Sequence, residues 1–328
     1  MASGSRGSAA SVGMPGSAVD IVIVNWDSGS QLRECLAALD RSTIAARLNV
    51  IVVDNASADG SAEALVTERA PLDVVRNTEN RGFAAACNQG AKRGIAPVLL
   101  FLNPDVRVRP DAVAAAARYL DDPDQSGVGV LGAQLMDADG HVQRCCARTP
   151  TAATLMLQTL FLDRLLPALV PPHFLTEWDH SDTRPVDQVM GAFLMIRRTL
   201  FETLGGFDER FFLYYEDVDL CLAARQAGWT ILHYAGAQAE HRGGGTTSRV
   251  KDRRLFHVAT SKVEYAAKRH GTVAAVMLIV LILGFEMPFR WLHASITRSP
   301  KEGFMVIRGM ALFWQNLSTI SRRIRAGA

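Results

Sequence analysis

"DIVIVNWDSGSQLRECLAAL", residues 20–39, runs from an apolar stretch over 21–24 through a polar turn into a segment whose Leu32, Cys35, Leu36 and Leu39 recur at helical spacing. A continuously apolar strand followed by an amphipathic helix is the unit of a sheet covered on both faces. The unit recurs. "LNVIVVDNAS" (48–57) reads as a strand closed by turn residues, and "DGSAEALVTERA" (59–70) as a helix with an N-cap at its start. "LDVVRN" (72–77) is a third strand, "GFAAACNQGAKRG" (82–94) a helix ending at Gly94, and "VLLFLNPD" (98–105) a fourth strand stopped by Pro104. The pattern predicts an α/β fold with a doubly wound, mostly parallel sheet. Ligands of such sheets sit outside the carboxyl ends of the strands. Here those ends carry Asn25 and Trp26, Asp54 and Asn55, Asn77 to Gly82, and Asn103 with Asp105.

The second half is less regular. "PDAVAAAARYLDD" (110–122) predicts a helix, "VGVLGAQLMDADGHVQ" (128–143) two short strands around Asp139 and Gly140, and "TLMLQTLFLDRLLPALVPP" (154–172) an apolar helix halted by prolines. "VDQVMGAFLMIRR" (186–198) predicts a strand, and "LFETLGGFDERFF" (200–212) a helix ending at Gly205 and Gly206. "YYEDVDLC" (214–221) then opens a helix that closes at Gly228.

With 328 residues, 48% hydrophobic and 21% charged, the chain has enough apolar material for a substantial core. Its five cysteines include no C-x-x-C pair, so neither a disulfide framework nor a zinc site is expected. The net charge of +2 hides an asymmetry: residues 240–328 carry 15 Lys and Arg against 5 Asp and Glu, the rest 20 against 28. A basic C-terminal quarter points to phosphates, of nucleic acid or of a membrane surface. Residues 1–17, Gly/Ser/Ala-rich with one charge, read as a flexible tail.

Neither G-x-G-x-x-G after the first strand nor G-x-x-x-x-G-K-[ST] occurs, which argues against a dinucleotide-binding dehydrogenase and a P-loop enzyme. "HRGGGTT" (241–247) is glycine-rich without a strand-to-helix context. Asp54 is either a turn or N-cap residue, or a carboxylate that accepts a hydrogen bond from a pyrimidine ring N–H. Asp105 either begins a turn after Pro104 or offers a hard oxygen ligand to Mg²⁺ or Mn²⁺. Glu216, Asp217 and Asp219 either offset the positive end of a helix or bring carboxylates to a reaction.

The series "IVIVNW", "VVDNASADGS", "NRGFAAACNQG", "FLNPDV", "VMGAFLMIRR", "GGFDERFFLYYEDVDLCLAARQAGW" and "AEHRGGGTTS" closely resembles the family 2 inverting glycosyltransferases, in particular the bacterial rhamnosyltransferase-like group, from about Asp20 to about Gly271. The resemblance implies a glycosyltransferase A (GT-A) fold and a nucleotide-sugar donor, with dTDP-L-rhamnose favoured over UDP-sugars. It implies that Asp54 contacts the donor base, with Asn25 and the Asn80, Arg81, Gly82, Phe83 loop nearby. Asn103, Pro104 and Asp105 stand where the family carries an Asp-x-Asp metal motif, so Asp105 would hold a divalent cation, Mg or Mn, and His241 would complete its protein ligands. Asn103 departs from the motif as a poorer metal ligand. Asp217 would be the general base and Glu216 would orient the acceptor, a polyprenyl-linked glycan precursor of a cell-surface polysaccharide. Phe211 and Phe212 would wall Asp217 from water, and Asp219 would belong to the helix start or a salt bridge. The small Gly191 and Ala192 would let the sugar approach the sheet, or merely permit close packing.

A nucleotidyltransferase would be expected to carry a basic, glycine-rich loop after the first strand, where "NWDSGSQLREC" offers only Gly29. An inactive sugar or membrane scaffold would be expected to have lost Asp105 or Asp217. Nucleic acid is not an expected partner, because no recognition signature accompanies the basic residues. They are interleaved instead with "TVAAVMLIVLILGF" (272–285), shorter than the ~20 residues of a membrane-crossing helix, which reads as an interfacial or re-entrant helix or as one buried against the catalytic domain. Trp291, Trp314, Arg290, Arg298, Lys301, Arg308, Arg322, Arg323 and Arg325 suit a headgroup interface. The expected organisation is a tail (1–17), a catalytic domain (18–250, donor half to about 110, acceptor half from about 111), and a helical module (251–328) on an anionic membrane, at the cytoplasmic face of the inner membrane.

Overall fold

The computed structural model describes residues 18–243, 250–297 and 299–326. The tail 1–17, most of "HRGGGTT" and Arg298 lie outside the described residues. The strands are β1 Val19–Asn25, β2 Leu48–Asp54, β3 Leu72–Arg76, β4 Val98–Leu102, β5 Val106–Val108, β6 Val128–Met136, β7 Cys146–Ala147, β8 Arg184–Pro185, β9 Gln188–Val189, β10 Phe193–Arg197 and β11 Thr230–His241. The helices are α1 Gln31–Asp40, α2 Phe83–Ala91, α3 Ala112–Asp121, α4 Ala152–Thr159, α5 Leu162–Leu165, α6 Arg198–Thr203, α7 Glu216–Gln226, α8 Lys251–Leu281, α9 Met287–Thr297, α10 Pro300–Gln315 and α11 Leu317–Ala326.

One mixed sheet has the order β3-β2-β1-β4-β10-β6-β11-β5, with β8 on β11. Strands β1 to β4, β6 and β11 run one way, while β5, β8 and β10 run against them. The expected mostly parallel α/β sheet is present. β1 is buried along its whole length, and the apolar face of α1 closes over the sheet with Leu32, Cys35, Leu36 and Leu39. Inside, Asp20 accepts from the amide of Ala96 at 2.8 Å and pairs with Arg198, pinning the start of β1 to α6.

Four expectations give way. Segment 59–70 is not a helix: Ala64 sits at φ 48°, and the Asp40 side chain takes the amides of Glu68 (2.7 Å), Arg69 (3.1 Å) and Ala70 (3.1 Å) that a helix would have bonded to itself. The helix expected over 154–172 breaks at Phe161, which is left-handed at φ 58°. The strand expected over 186–198 is split into β9 and β10 because the Gly191 amide leaves the ladder for a side chain, Asp217 Oδ2. Past β6 the second short strand shrinks to a single bridge, Met136 with Val142, around a turn whose amides Asp137 caps.

Strand β11, not anticipated from the sequence, runs parallel to β6 with a register shift between Tyr234 and Gln238, then antiparallel to β5. The shift spans Gly236, which interrupts the alternation that would have marked the strand.

The C-terminal helices are not a free appendage. Tyr265, Leu278, Ile282 and Phe313 share an apolar cluster with Leu155 of α4, with Val218 of α7 and with Phe211. Lys268 and Arg269 of α8 bond the Asp219 carboxylate at 2.7 Å each. Asp219 therefore ties α7 to α8, as the salt-bridge reading anticipated. Helix α8 kinks at Gly271 (φ 87°), where a side chain would be strained.

Candidate active site

The first three strands place their last residues side by side, Asn25 opposite Asp54 and Asp54 opposite Arg76. The Asn25 amide donates to Asp54 Oδ1 (2.8 Å), Ser57 Oγ (3.0 Å) and Ser61 Oγ (2.9 Å). Ser57 Oγ donates to the same carboxylate at 2.5 Å. Asn25 has no exposure at all, so whatever it does for a ligand passes through Asp54. Beyond these ends lies a cleft of about 580 Å³, lined by Trp26, Asp27, Ala58 and Asp59 on one side and by Asp252, Arg253, Met305 and Arg308 of α8 and α10 on the other. Those last four are invisible to a reading of the strands alone.

The 80–83 loop joins this region to the next. Asn80 Oδ1 accepts the Gly82 amide (3.0 Å), and the Phe83 amide donates to the Phe212 carbonyl (2.7 Å). Gly82 sits at φ 86°, and a Cβ there would lie 2.6 Å from the Phe212 oxygen, so only glycine fits. Arg81 projects into solvent and Phe83 is half-buried.

Asp105 and His241 meet because β11 pairs with β5 in a register that sets His241 opposite Val106. The His241 Nε2 is 3.6 Å from Asp105 Oδ1, and both side chains are nearly buried. Gln143 fixes the imidazole: its amide nitrogen donates to the His241 carbonyl (2.7 Å), which turns its oxygen to Nδ1 at 2.9 Å. Nδ1 therefore carries the proton and Nε2 presents a lone pair to the carboxylate. Burial pushes the imidazole below its usual pKa against the pull of Asp105, which keeps it neutral. Two acceptors facing each other across this gap fit a cation between them. Asn103 is half-buried, and its backbone amide donates to the Ala192 carbonyl (3.0 Å). The segment Gly191–Ala192 thus runs from the Asp105 turn to Asp217.

Asp217 lies in the first turn of α7, after two consecutive non-glycine residues in the left-handed region, Tyr214 and Tyr215, both at φ 70°. Such strain persists only where packing enforces it. Here Phe211 is fully buried, Phe212 stacks on His257 (4.5 Å, 12°), and Ser261 of α8 bonds the Leu213 carbonyl at 2.9 Å. Asp217 accepts from the Gly191 amide (2.9 Å) and the Val218 amide (2.8 Å). Burial raises its pKa, opposed by these amides and by Gln188. A dehydrated carboxylate aimed by backbone amides can take a proton from a hydroxyl. Gly191 carries no steric demand toward Asp217, since a Cβ would meet Oδ2 at an ordinary 3.5 Å.

The sequence reading sets Glu216 beside an acceptor, and the fold buries its side chain. It is 6% exposed, its Oε2 has no hydrogen-bond partner among the described residues, and burial with the neighbouring Asp217 raises its pKa well above the usual range. Gln143 and Gln188, which orient His241 and Asp217, were missed because each acts across a long sequence separation.

A family model described as glycosyl transferase family 2 matches residues 20–205. An N-acetylglucosaminyl-diphospho-decaprenol L-rhamnosyltransferase of Mycobacterium tuberculosis is 28% identical over 274 residues, 76% of this chain and 84% of that protein. The rhamnosyltransferase WbbL of Escherichia coli K12 is 28% identical over 139 residues, 42% of this chain and 49% of its own. Among solved structures, a mannosyltransferase of Pyrobaculum calidifontis in complex with GDP-Man and Mn²⁺ superposes with a TM-score of 0.52 at 17% identity, over 95% of this chain and 86% of that one. That likeness concerns the fold, which is of the GT-A type. With the family model covering more than half of its residues, the chain belongs to glycosyl transferase family 2, the inverting glycosyltransferases.

Proposed function

We propose that this enzyme transfers L-rhamnose from dTDP-L-rhamnose to a polyprenyl-linked glycan precursor on a membrane surface, with Asp217 as general base. The observation that carries the reading is the Gly191–Ala192 segment, which joins the Asp217 carboxylate to the turn of Asn103 and Asp105. Asp54, braced by Asn25 and Ser57, takes the donor base, and the Asn80–Phe83 loop borders it. Asp105 and His241 would hold a divalent cation, Mg²⁺ or Mn²⁺, which when bound would offset the charge of the departing diphosphate. The acceptor oxygen attacks the anomeric carbon, its proton passes to Asp217, and the electrons of the broken C–O bond leave with the nucleoside diphosphate. Inversion follows from a single displacement.

The name of the M. tuberculosis relative, matched over 84% of its length, supports both the sugar and the lipid-linked acceptor. A transfer screen over purified nucleotide sugars, with and without Mn²⁺ or Mg²⁺, tests donor and cation together. Faster transfer from any UDP-sugar than from dTDP-L-rhamnose would overturn the sugar.

The membrane part rests on one exposed apolar face. Within the kinked helical stretch Lys251–Thr297 one 18-residue window is apolar and long enough to cross a bilayer, yet Ala275, Leu278, Ile282 and Met287 are buried in the protein. Glu286 is buried too, paired with Lys262 (3.1 Å) and Arg290 (2.8 Å), so its charge is neutralised inside. Val273, Val280, Ile296 and Trp314 face outward, as do Leu165 and Leu169 after α4. Phe161 bridges the two patches, 4.9 Å from Phe289, with Arg164 and Arg290 over its ring. A helix buried on one side and apolar on the other suits lying on a bilayer. Co-sedimentation with anionic vesicles, loosened but not abolished by salt, is the expected result. Protein left in the supernatant at low salt would overturn it.

A further inference from the structure

All five cysteines are free and buried. Two of them, adjacent in sequence, meet a histidine of β11: the thiols of Cys145 and Cys146 and a ring nitrogen of His233 all lie within 4.8 Å of one another. Cys145 is 3% exposed, and Cys146 and His233 are not exposed at all. Strand pairing sets two of the three positions, Cys146 opposite Val189 of β9 and His233 opposite Gly132 of β6.

The imidazole has one possible orientation of protons. His233 Nε2 is 3.0 Å from the carbonyl oxygen of His180, which can only accept, so Nε2 carries the hydrogen. Nδ1 then offers its lone pair to the Cys146 sulfur at 3.5 Å. His180 is already committed: its Nδ1 bonds the Trp178 carbonyl (3.0 Å) and its Nε2 accepts the Cys146 amide (3.1 Å). An imidazole fixed through its far nitrogen by a backbone carbonyl, with the near nitrogen turned to two thiols, is how metal-ligating histidines are held. Two thiolates would balance a divalent charge, so the buried complex would be neutral.

We infer that Cys145, Cys146 and His233 form a structural site for a soft divalent cation of the zinc class, separate from the Asp105 and His241 pair. Binding forms bonds from the metal to two Sγ atoms and to Nδ1, and releases the two thiol protons to solvent. Three donors from the chain leave one tetrahedral position to a small ligand. Sulfur and imidazole donors select zinc over the hard cations suited to Asp105. The site also reaches the reaction centre. Cys146 pairs with Val189, and two residues further Gly191 holds Asp217, so a filled site stiffens the strand that aims the carboxylate.

The test uses the full-length protein purified without chelator and desalted. Elemental analysis is expected to find about one zinc per chain in the wild type and in Asp105→Ala, and none in His233→Ala or in the double variant Cys145→Ser, Cys146→Ser. Because those variants replace buried groups, a second measurement uses wild type alone. Co²⁺ added to chelator-treated protein should produce a thiolate-to-cobalt charge-transfer band that Zn²⁺ then removes. Wild type with neither zinc nor that band, or with Cys145 and Cys146 recovered as a disulfide from unreduced protein, would overturn the site.

Discussion

Asp54 and Asp217 are both aspartates beside a chain reversal, and their surroundings differ in kind. Asp54 is ringed by donors: the Asn25 amide, the Ser57 hydroxyl and the Ser57 backbone at 3.3 Å. Asp217 has two backbone amides and Gln188 set against a burial that raises its proton affinity. Each carboxylate has three donors, so the number of hydrogen bonds does not separate them. At Asp217 burial raises the proton affinity against those donors, and a carboxylate held in that balance is ready to take a proton, which is how, in the proposed mechanism, one residue type fills two roles in one site.

The largest break in that comparison is Asp217→Asn. The amide keeps the shape but cannot accept the acceptor's proton, so transfer should fall by about 10²- to 10⁴-fold while donor binding is unchanged. In the wild type the acid limb of the pH profile should lie above the ordinary carboxylate range, because only ionised Asp217 is active and its pKa is raised. Turnover within tenfold of wild type would remove Asp217 as base. Asp54→Ala should act on the other side of the split. Loss of one charged acceptor costs about 1–3 kcal/mol, roughly a tenfold to hundredfold weaker donor affinity, with little change in the turnover of bound donor. Calorimetry with the free nucleotide, beside kcat and KM, separates the two.

Gly82→Ala sharpens the comparison by striking the seam between the two regions. A methyl group 2.6 Å from the Phe212 carbonyl oxygen must push the 211–215 loop away, and φ 86° adds strain, for a cost of about 1–3 kcal/mol. The expected result is a lower Tm together with lower turnover, because the displaced loop carries Tyr215 into Asp217. A normal Tm would show that the two loops move independently.

What the sequence made legible divides by the reach of the contacts involved. The donor side follows from contiguous runs: each apolar strand announces its own polar end, so Asn25, Asp54 and Asp105 could be placed before any tertiary contact was known. Contacts between distant segments were not legible on either side. β11 was hidden by the interruption at Gly236, and with it the register that brings His241 to Asp105. Segment 59–70 was misread because its competitor for backbone amides, Asp40, lies in another element. Cys145 and Cys146 carry no metal-like spacing, and only the sheet brings His233 to them. Glu216, Asp217 and Asp219 look equivalent in one helical turn until α8 claims Asp219 and the fold buries Glu216.

Glu216→Gln is the smallest and most specific test of that division. In the folded chain burial makes Glu216 hold its proton to higher pH than it does unfolded. Between the unfolded and the folded pKa the native state therefore binds more protons, and stability falls as pH rises through that window. A glutamine has the same outline and no proton to lose, so the variant should match wild type on the acid side and surpass it progressively toward alkaline pH. For a chain of this size each kcal/mol regained moves Tm by about 1–2 °C. Transfer to the acceptor should change far less than in Asp217→Asn, because the fold buries the Glu216 side chain. Parallel melting curves across the pH range, or a loss of transfer as large as that of Asp217→Asn, would place Glu216 on the acceptor side after all and dissolve the contrast between a buried acid and an active base at adjacent positions.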